Sequence, residues 1–524
     1  MKNVNTLLLL FFTIAATALI GQDRYLKPVF SGVSVQPDVT YGQNISVLST
    51  PIGPIDLKVN VFSPAGDNAK NRPAVLVFHT GSFLPPLFSG GITGSRNDSA
   101  VVETCNRLAR LGYVVFNATY RQGWNPTATG ADGQDIRTGT LLNAAYRGIQ
   151  DARTLIRFIR KTVAEDGNPY GVDPGKIALW GHGTGGYISM GAAFLDRFKE
   201  EIVLEKFIGK DLKPYVDTAL NGNLYGTTTT PLCLANWPKY SSDFKAAVNM
   251  GGALGDISWL EGKANEPVVI GFHVLSDPFA PFADGPVIVP TTGDFVVNVA
   301  GTYSVVKRAN DLKVNAPIAA ANTDLTNPVN ARNKALSNVD IDYRGQKIKL
   351  STDNMYPFLL SGFQSGPWEW WNKATLDLVV LGTNAAIGRN AFNSDTLHFN
   401  GLRTNPDMSK AKGMAYIDTI FSITVPRLYL ALNLATSTHE VLPAAEVGLQ
   451  ITPNPVSDIA VFRSSPEHPM RDIAIYNIEG KLMKGAIQLK DSYYEMSKEG
   501  LPPGIYIAQV RFEKGIVASK IVVQ

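Results

Sequence analysis

The stretch that most constrains the fold of this chain is residues 177–187, IALWGHGTGGY. An apolar run with strand character leads directly into a glycine-rich turn, and a segment with helical character follows. A turn this sharp favours a residue that accepts a positive φ angle, and glycine does so without a Cβ clash. The pattern therefore predicts a buried strand, a tight turn with Gly183 at its apex, and a helix that starts at Thr184, a hydroxyl residue of the kind common at helix starts.

Four segments upstream of this turn alternate between strand and helix signals. The helical one keeps its apolar residues, at 152, 155, 156, 159 and 163, on one face. Such alternation predicts a doubly wound, mostly parallel α/β sheet. The segments are 72–84 (RPAVLVFHTGSFL), 111–121 (LGYVVFNATYR), 150–163 (QDARTLIRFIRKTV) and 171–176 (GVDPGK).

Together these segments resemble α/β-hydrolases of the carboxylesterase type, from about residue 40 to residue 190. That family places its nucleophile in a G-x-S-x-G elbow between a strand and a helix. The frame of the elbow is intact here, but the serine position is occupied by Gly183. Residues 79–83 (HTGSF) resemble the oxyanion loop, usually H-G-G-x-F. The resemblance implies that backbone amides of Gly81, Ser82 and Thr184 form the oxyanion hole.

The resemblance also gives positions for the other members of a catalytic triad, in the chain order serine, acid, histidine. Residues 267–277 (PVVIGFHVLSD) resemble a strand that ends in F-H-G-x-x-D, which places the acid at Asp277. Residues 356–371 resemble the G-A-G-H-x-P-W loop, in which the histidine position is Ser365. Only His398 follows Asp277 within the hydrolase region. A serine nucleophile needs a base within hydrogen-bond reach, so two of three members are missing.

A dinucleotide-binding fingerprint competes for the same turn. Gly181, Gly183 and Gly186 satisfy G-x-G-x-x-G between a strand and a helix. That interpretation requires a second strand ending in an acidic residue about 20 positions later. Residues 190–210 instead carry a charged, helical pattern. We therefore reject the fingerprint and expect no cofactor.

Composition excludes several classes of function. A formal net charge of +3 in 524 residues gives no electrostatic case for nucleic acid. No group of cysteines and histidines has metal-ligand spacing, so no metal is expected. The only two cysteines, Cys105 and Cys233, allow at most one disulfide. Beyond the N-terminus no apolar run is long enough to span a membrane, so we expect no transmembrane span in the mature chain.

Three segments of the hydrolase region have no clear counterpart in the motifs. Residues 210–245 lie where lids commonly occur, residues 278–350 mix a valine-rich run with polar loops, and each of the two is a candidate to cover a pocket. Residues 411–434 have the pattern of closing helices, with a break predicted near Pro426.

The two ends of the chain are expected to lie outside the hydrolase domain, which we assign to residues 22–439. Residues 1–21 have a lysine, an apolar run and small residues, the pattern of a cleaved secretory signal peptide. Residues 440–446 form a candidate linker. Residues 447–524 show short alternating strands separated by turn residues, which predict a small all-β sandwich.

Residues 447–524 resemble the type A C-terminal sorting domain of the type IX secretion system. The resemblance is carried by P-N-P at 453–455, by Y-N-I-E-G-K at 476–481 and by L-P-P-G-I-Y at 501–506. It implies export through the periplasm to the cell surface or the medium, with the secretion machinery as partner.

Three functions remain open at this point. The first is a secreted hydrolase-fold protein with an inactive esterase site, which binds a small molecule or ester or serves as a scaffold. The second is a working carboxylesterase-like enzyme with an unconventional nucleophile, so whether the chain is an enzyme is undecided. The third is a structural surface protein.

Overall fold

The computed structural model describes residues 24–289, 292–434, 440–478, 482–486, 489–513 and 515–524. The chain divides into two compact units, the first ending at Asn433 and the second running from Leu434 to Gln524. The predicted signal peptide lies outside the described residues.

The first unit is built around strands and helices that alternate along the chain. Its strands are β1 Val33–Ser46, β2 Gly53–Pro64, β3 Arg72–Phe78, β4 Val114–Ala118, β5 Val172–His182, β6 Ala246–Met250, β7 Ala253–Leu254, β8 Val268–Val274, β9 Gly285–Ile288, β10 Phe295–Gly301, β11 Asp340–Tyr343, β12 Gln346–Lys349 and β13 Met355–Phe358. Its helices are α1 Ser99–Leu111, α2 Gly133–Glu165, α3 Thr184–Phe194, α4 Phe198–Glu201, α5 Thr218–Asn221, α6 Thr302–Asp311, α7 Pro328–Leu336, α8 Lys373–Ala386, α9 Ser394–Thr404 and α10 Lys410–Ala431.

The central sheet has eight strands in the order β1-β2-β4-β3-β5-β6-β8-β13. The six strands from β4 to β13 in this order are parallel, and β1 and β2 are antiparallel additions at one edge. Strands β3, β4, β6 and β8 are buried along their whole length, as expected for parallel strands covered by helices on both faces. The predicted doubly wound, mostly parallel α/β sheet is confirmed.

The carboxyl ends of the parallel strands bring distant segments of the chain together. Parallel strands all end at the same edge of a sheet, and ligand sites in open α/β sheets lie at that edge. The segments that follow β3, β5, β8 and β13 hold Thr80, Gly183, Asp277 and Ser365 respectively. The candidate site is therefore assembled by the sheet from residues far apart in sequence.

Part of the first expected lid segment, residues 210–245, accepts hydrogen bonds from side chains of α2. The side-chain amide of Gln150 donates to the carbonyls of Asn221 and Asn223, at 2.7 and 2.8 Å. The buried Arg157 donates to the carbonyl of Asn236 at 2.9 Å. Residues 221–236 thus supply acceptors for polar groups buried on α2. The second segment, residues 278–350, contains β9 to β12 with α6 and α7, and is not a single loop.

Helix α10 does not break at Pro426, so that expectation was wrong. Proline has no N–H, which leaves the carbonyl four residues earlier without its helical donor. That carbonyl belongs to Ser422, and it accepts a hydrogen bond from the side-chain amide of Asn327 at 3.2 Å. A neighbouring segment therefore satisfies the group that the proline leaves unpaired.

The second unit is the predicted β-sandwich. One sheet has the order β14-β21-β20-β17-β18 and the other β15-β16-β19. Its first strand, β14, lies inside the expected linker 440–446 and pairs with β21, and Leu442 is buried in the module's core. The module thus begins earlier than the expected residue 447. Its strands are β14 Glu440–Val441, β15 Gln450–Thr452, β16 Ile459–Arg463, β17 Asp472–Asn477, β18 Leu482–Ala486, β19 Tyr493–Ser497, β20 Gly504–Arg511 and β21 Gly515–Val523.

Candidate active site

The turn between β5 and α3 has the geometry of a nucleophile elbow. Gly183 has φ 52° and ψ −113°, a combination essentially reserved for glycine unless function imposes it on another residue. Its amide donates to the carbonyl of Met250 at 2.7 Å, and its carbonyl accepts from the amide of Gly186 at 2.8 Å. The backbone of the elbow is thus fully formed although residue 183 has no side chain.

The side chain of Thr80 fills the space that a nucleophile would need. A Cβ atom built on Gly183 would lie 2.0 Å from Thr80 Oγ1 and 2.8 Å from Thr80 Cβ. Both distances are far below van der Waals contact. Thr80 occupies the first glycine position of the H-G-G-x-F pattern, and Gly183 occupies the serine position of G-x-S-x-G. Compared with those patterns, this chain therefore has a side chain at position 80 and none at position 183.

The loop that follows β3 has an unusual backbone conformation and contains amides without an acceptor among the described residues. Gly81, Ser82 and Phe83 have consecutive φ angles of 122°, 55° and 52°. In the part of the chain that the structure describes, the amides of Gly81 and Ser82 have no hydrogen-bond acceptor. Thr184 is the first residue of α3, so its amide has no acceptor within the helix. These three amides are available to hold a carbonyl or carboxylate oxygen.

Asp277 and Ser365 form a hydrogen-bonded pair at the ends of β8 and β13. The hydroxyl of Ser365 donates to Asp277 Oδ2 at 2.7 Å. The other carboxylate oxygen accepts from the amides of Phe279 and Ala280, at 2.7 and 3.2 Å. Burial raises the pKa of Asp277, and these hydrogen bonds oppose the shift. The positions proposed for the acid and for the histidine are therefore in contact, with a hydroxyl where an imidazole would stand.

Three imidazoles lie near the sheet edge, and two of them, His79 and His273, hydrogen-bond to backbone carbonyls, whereas the buried Nδ1 of His182 has no hydrogen-bond partner among the described residues. His79 Nδ1 contacts the carbonyl of Thr80 at 2.6 Å, and the ring stacks on Tyr120. Burial lowers the pKa of His79 to about 4 and that of His182 to about 3, so both are neutral. His273 donates to the carbonyl of Ala280, and its Nε2 is 4.0 Å from Asp277.

The remaining hydroxyl and imidazole candidates are also engaged. His398 lies against Trp371, whose indole donates to its Nδ1 at 3.2 Å. The Thr184 hydroxyl is 2.9 Å from the Tyr120 hydroxyl. Among the described residues, no imidazole is hydrogen-bonded to a hydroxyl of Thr80, Thr184 or Ser365. Within the described residues, the site therefore holds no imidazole positioned to activate one of these hydroxyls, and the carboxylate in contact with one of them is Asp277, at Ser365.

Two carboxyl groups near the site were not predicted from the sequence. Glu369 accepts from the Thr93 hydroxyl at 2.8 Å, and burial with the nearby charge of Asp98 raises the pKa of Glu369 to about 8. Asp98 accepts from the amides of Gly94 and Ser95, at 2.7 and 3.0 Å, and burial raises its pKa to about 7. The only available signal was the position of Glu369 four residues after Ser365.

Three further features of the described residues concern metal ligands, cysteines and membrane spans. No three His, Cys, Asp or Glu side chains among these residues converge as metal ligands. Cys105 and Cys233 are both buried free thiols. None of the described helices combines the length and apolar character needed to cross a bilayer.

Residues 450–524 match a family described as the secretion system C-terminal sorting domain. The terminal module is a sorting domain. The predicted resemblance to type IX sorting domains is thereby confirmed. The sorting domain directs the chain to the cell surface or out of the cell, and the secretion machinery handles it.

No curated protein matches the chain by sequence. Solved structures similar to it include three forms of esterase 2 from Thermogutta terrifontis. The paraoxon-phosphorylated form is 19% identical, with 70% of this chain and 97% of the esterase covered at a TM-score of 0.32. The apo form is 21% identical, covering 49% and 76% at 0.28, and the butyrate-bound form is 20% identical, covering 49% and 76% at 0.28. A likeness of this size transfers neither activity nor substrate.

Proposed function

We propose that this protein is an exported α/β-hydrolase-fold protein that binds an ester or carboxylate ligand without hydrolysing it. The observation that carries the proposal is the exchange at the elbow, where Thr80 occupies the space required by a nucleophile on residue 183. With no side chain at 183 and Ser365 at the histidine position, neither attack on a carbonyl nor proton transfer has its usual group.

Ligand binding is supported by what the site retains. The backbone amides of Gly81, Ser82 and Thr184 have no acceptor among the described residues and can donate hydrogen bonds to an oxygen of the ligand. Thr80, Ser82, Thr184 and Ser365 are partly exposed, so solvent reaches the polar edge of the site. In hydrolases that have lost triad members, such groups still stabilise the transition state by of order 10³-fold over water. The same groups can hold a ground-state carbonyl or a carboxylate product.

The test combines turnover and binding on the exported chain. We expect hydrolysis of p-nitrophenyl butyrate at the background rate, and saturable binding of butyrate by calorimetry. A variant that places bulk beside the amides, Ser82→Trp, should lose butyrate binding, whereas the matched change Ser31→Trp, at an exposed residue that precedes β1 at the edge of the sheet, should not. Turnover well above background, or butyrate binding that Ser82→Trp leaves intact, would contradict the proposal.

A second candidate is a hydrolase that uses Ser365 as an unconventional nucleophile. The observation in its favour is the 2.7 Å hydrogen bond from the Ser365 hydroxyl to the buried carboxylate of Asp277. Under this hypothesis Ser365→Ala abolishes turnover and Thr184→Ala does not. If neither change alters the rate of ester hydrolysis, this second candidate is excluded.

A further inference from the structure

Helices α8 and α9 form a helical hairpin, which we call the cap, with its own small apolar core. Leu376 and Val380 of α8 and Leu397 of α9 are buried together with Leu87. The cap is fixed at its base by the hydrogen bond between Trp371 and His398 and by the packing of Phe88 on Phe392 at 5.1 Å. The inner faces of both helices are therefore already covered by this apolar core.

The opposite faces of the cap are also apolar. Leu378 and Leu381 are 69% and 67% exposed, and Phe399 is 65% exposed. At about 100° per residue, these positions lie on the far side of each helix from Leu376 and Leu397. Surface helices of globular proteins carry polar residues on that side, and a helix that is apolar all round is usually covered. Leu378, Leu381 and Phe399 define what we call the outer face of the cap.

Cationic side chains flank the outer face at both ends. Arg389 lies in the turn between α8 and α9, and Arg403 lies in the last turn of α9. Both are exposed, and neither side chain has an acidic partner among the described residues. The remaining cation of the hairpin, Lys373, is held by Asp377 and Asp395. The outer face thus combines apolar residues with two arginines that are available to anionic groups.

The outer face of the cap is too small to form a stable interface with a second copy of the chain. Helices of 14 and 11 residues are about 21 and 16 Å long at roughly 1.5 Å per residue. With helix axes about 10 Å apart, the face covers on the order of 400 Å². Two such faces would bury about 800 Å², less than the roughly 1,200–2,000 Å² of a stable interface.

An anionic lipid bilayer matches both the small apolar area of the outer face and the two arginines beside it. The sorting domain delivers the chain to the cell surface or beyond, so the outside of a membrane lies on its route. Apolar helix faces flanked by lysine or arginine lie in the headgroup region, where apolar side chains enter the acyl boundary and cations meet anionic headgroups. We propose that the outer face of the cap lies on an anionic bilayer surface, with Leu378, Leu381 and Phe399 inserted and Arg389 and Arg403 on headgroups.

The test is flotation of the exported chain, residues 22–524, with vesicles of phosphatidylethanolamine and phosphatidylglycerol. We expect the chain to float with these vesicles, and the double variant Leu378→Gln/Leu381→Gln to reduce the partition coefficient about tenfold or more. The matched control is Leu212→Gln/Leu325→Gln, which removes two leucines that are 85% and 55% exposed elsewhere. The control should float like the wild type. Arg389→Gln/Arg403→Gln should weaken binding to phosphatidylglycerol and reduce its salt dependence.

Three outcomes would overturn the proposal. The first is that the wild-type chain does not float, and the second is that the Leu378/Leu381 variant floats as well as the control. The third is a wild-type dimer in light scattering that this variant abolishes, which would assign the outer face to a second copy. Circular dichroism melting of each variant shows whether a loss of flotation reflects unfolding, and helix-forming glutamine at these exposed positions should leave melting unchanged.

Discussion

Introducing a single methyl group at the elbow tests the packing of Thr80 directly. In Gly183→Ala the new Cβ would lie 2.0 Å from Thr80 Oγ1 and 2.8 Å from Thr80 Cβ, so one of the two residues must move. Overpacking of this kind costs about 1–3 kcal/mol. The strained backbone at φ 52° and ψ −113° adds about 1–3 kcal/mol for a residue with a Cβ. We therefore expect Gly183→Ala to lower the free energy of unfolding by about 2–6 kcal/mol.

The same substitution should cost much less once position 80 lacks a side chain. In Thr80→Gly the nearest remaining atom of residue 80 is its Cα, 3.6 Å from the added Cβ, which is ordinary contact. Only the backbone cost of about 1–3 kcal/mol then remains. The double-mutant cycle should give a coupling free energy of about 1–3 kcal/mol. Thr80→Val is the matched control, because it keeps the volume and removes the hydroxyl, and it should not relieve the clash.

Tryptophan fluorescence during urea unfolding provides the measurement. All 7 tryptophans lie before residue 434, so the signal reports on the first unit alone. Trp180 is in β5, close to the elbow. Free energies that add to within about 0.5 kcal/mol would refute the packing argument. Relief of the clash by Thr80→Val would show that the hydroxyl, and not the volume, sets the exclusion.

Further predictions concern pH, a buried ion pair and export. The raised pKa of Glu369, about 8 against 4.5, means that the folded state keeps a proton that the unfolded chain loses, so stability falls as pH rises through that window. In thermal melts Glu369→Gln should flatten this fall, and an unchanged pH profile would contradict it. Asp151→Asn leaves the fully buried Arg121 without the negative charge now 2.8 Å away and should cost about 3–5 kcal/mol in urea unfolding. Lys307→Gln, at an exposed pair, should change the unfolding free energy by at most about 1 kcal/mol. Removal of residues 434–524 should leave the passenger in the periplasmic fraction, and its appearance at the surface would argue against the sorting role.

The sequence predicts the sheet and its order of elements well because buried parallel strands are short apolar runs. The strand at 177–180 and the acid strand at 267–277 appear as β5 and β8, and Gly183 follows β5 directly. The prediction of helix 150–163 is too short, since α2 spans Gly133–Glu165. Its first turns carry few regularly spaced apolar residues, and polar groups buried there bond to other segments: Arg137 and Thr138 donate to the carbonyls of Ala128 and Val296, both at 2.6 Å.

The parts of the site that sequence reasoning missed depend on contacts between distant segments. Thr80 stands out as a departure from H-G-G-x-F, but only coordinates show that its side chain reaches the apex at Gly183. The only signal for Glu369 in the sequence is its position four residues after Ser365, because its environment depends on Thr93 and Asp98 from another part of the chain. Periodicity describes which face of an element is buried and contains no information about which loops meet at the sheet edge.

The exchange between positions 80 and 183 makes a direct test of the central claim possible. The measurement is the rate of p-nitrophenyl butyrate hydrolysis by the triple variant Thr80→Gly/Gly183→Ser/Ser365→His, compared with the double variant Gly183→Ser/Ser365→His and with the wild type. We predict background rates for the wild type and for the double variant, in which Thr80 still excludes the serine, and a rate above background only for the triple variant. Robust turnover by the wild type that Ser365→Ala or Thr184→Ala abolishes would contradict the account.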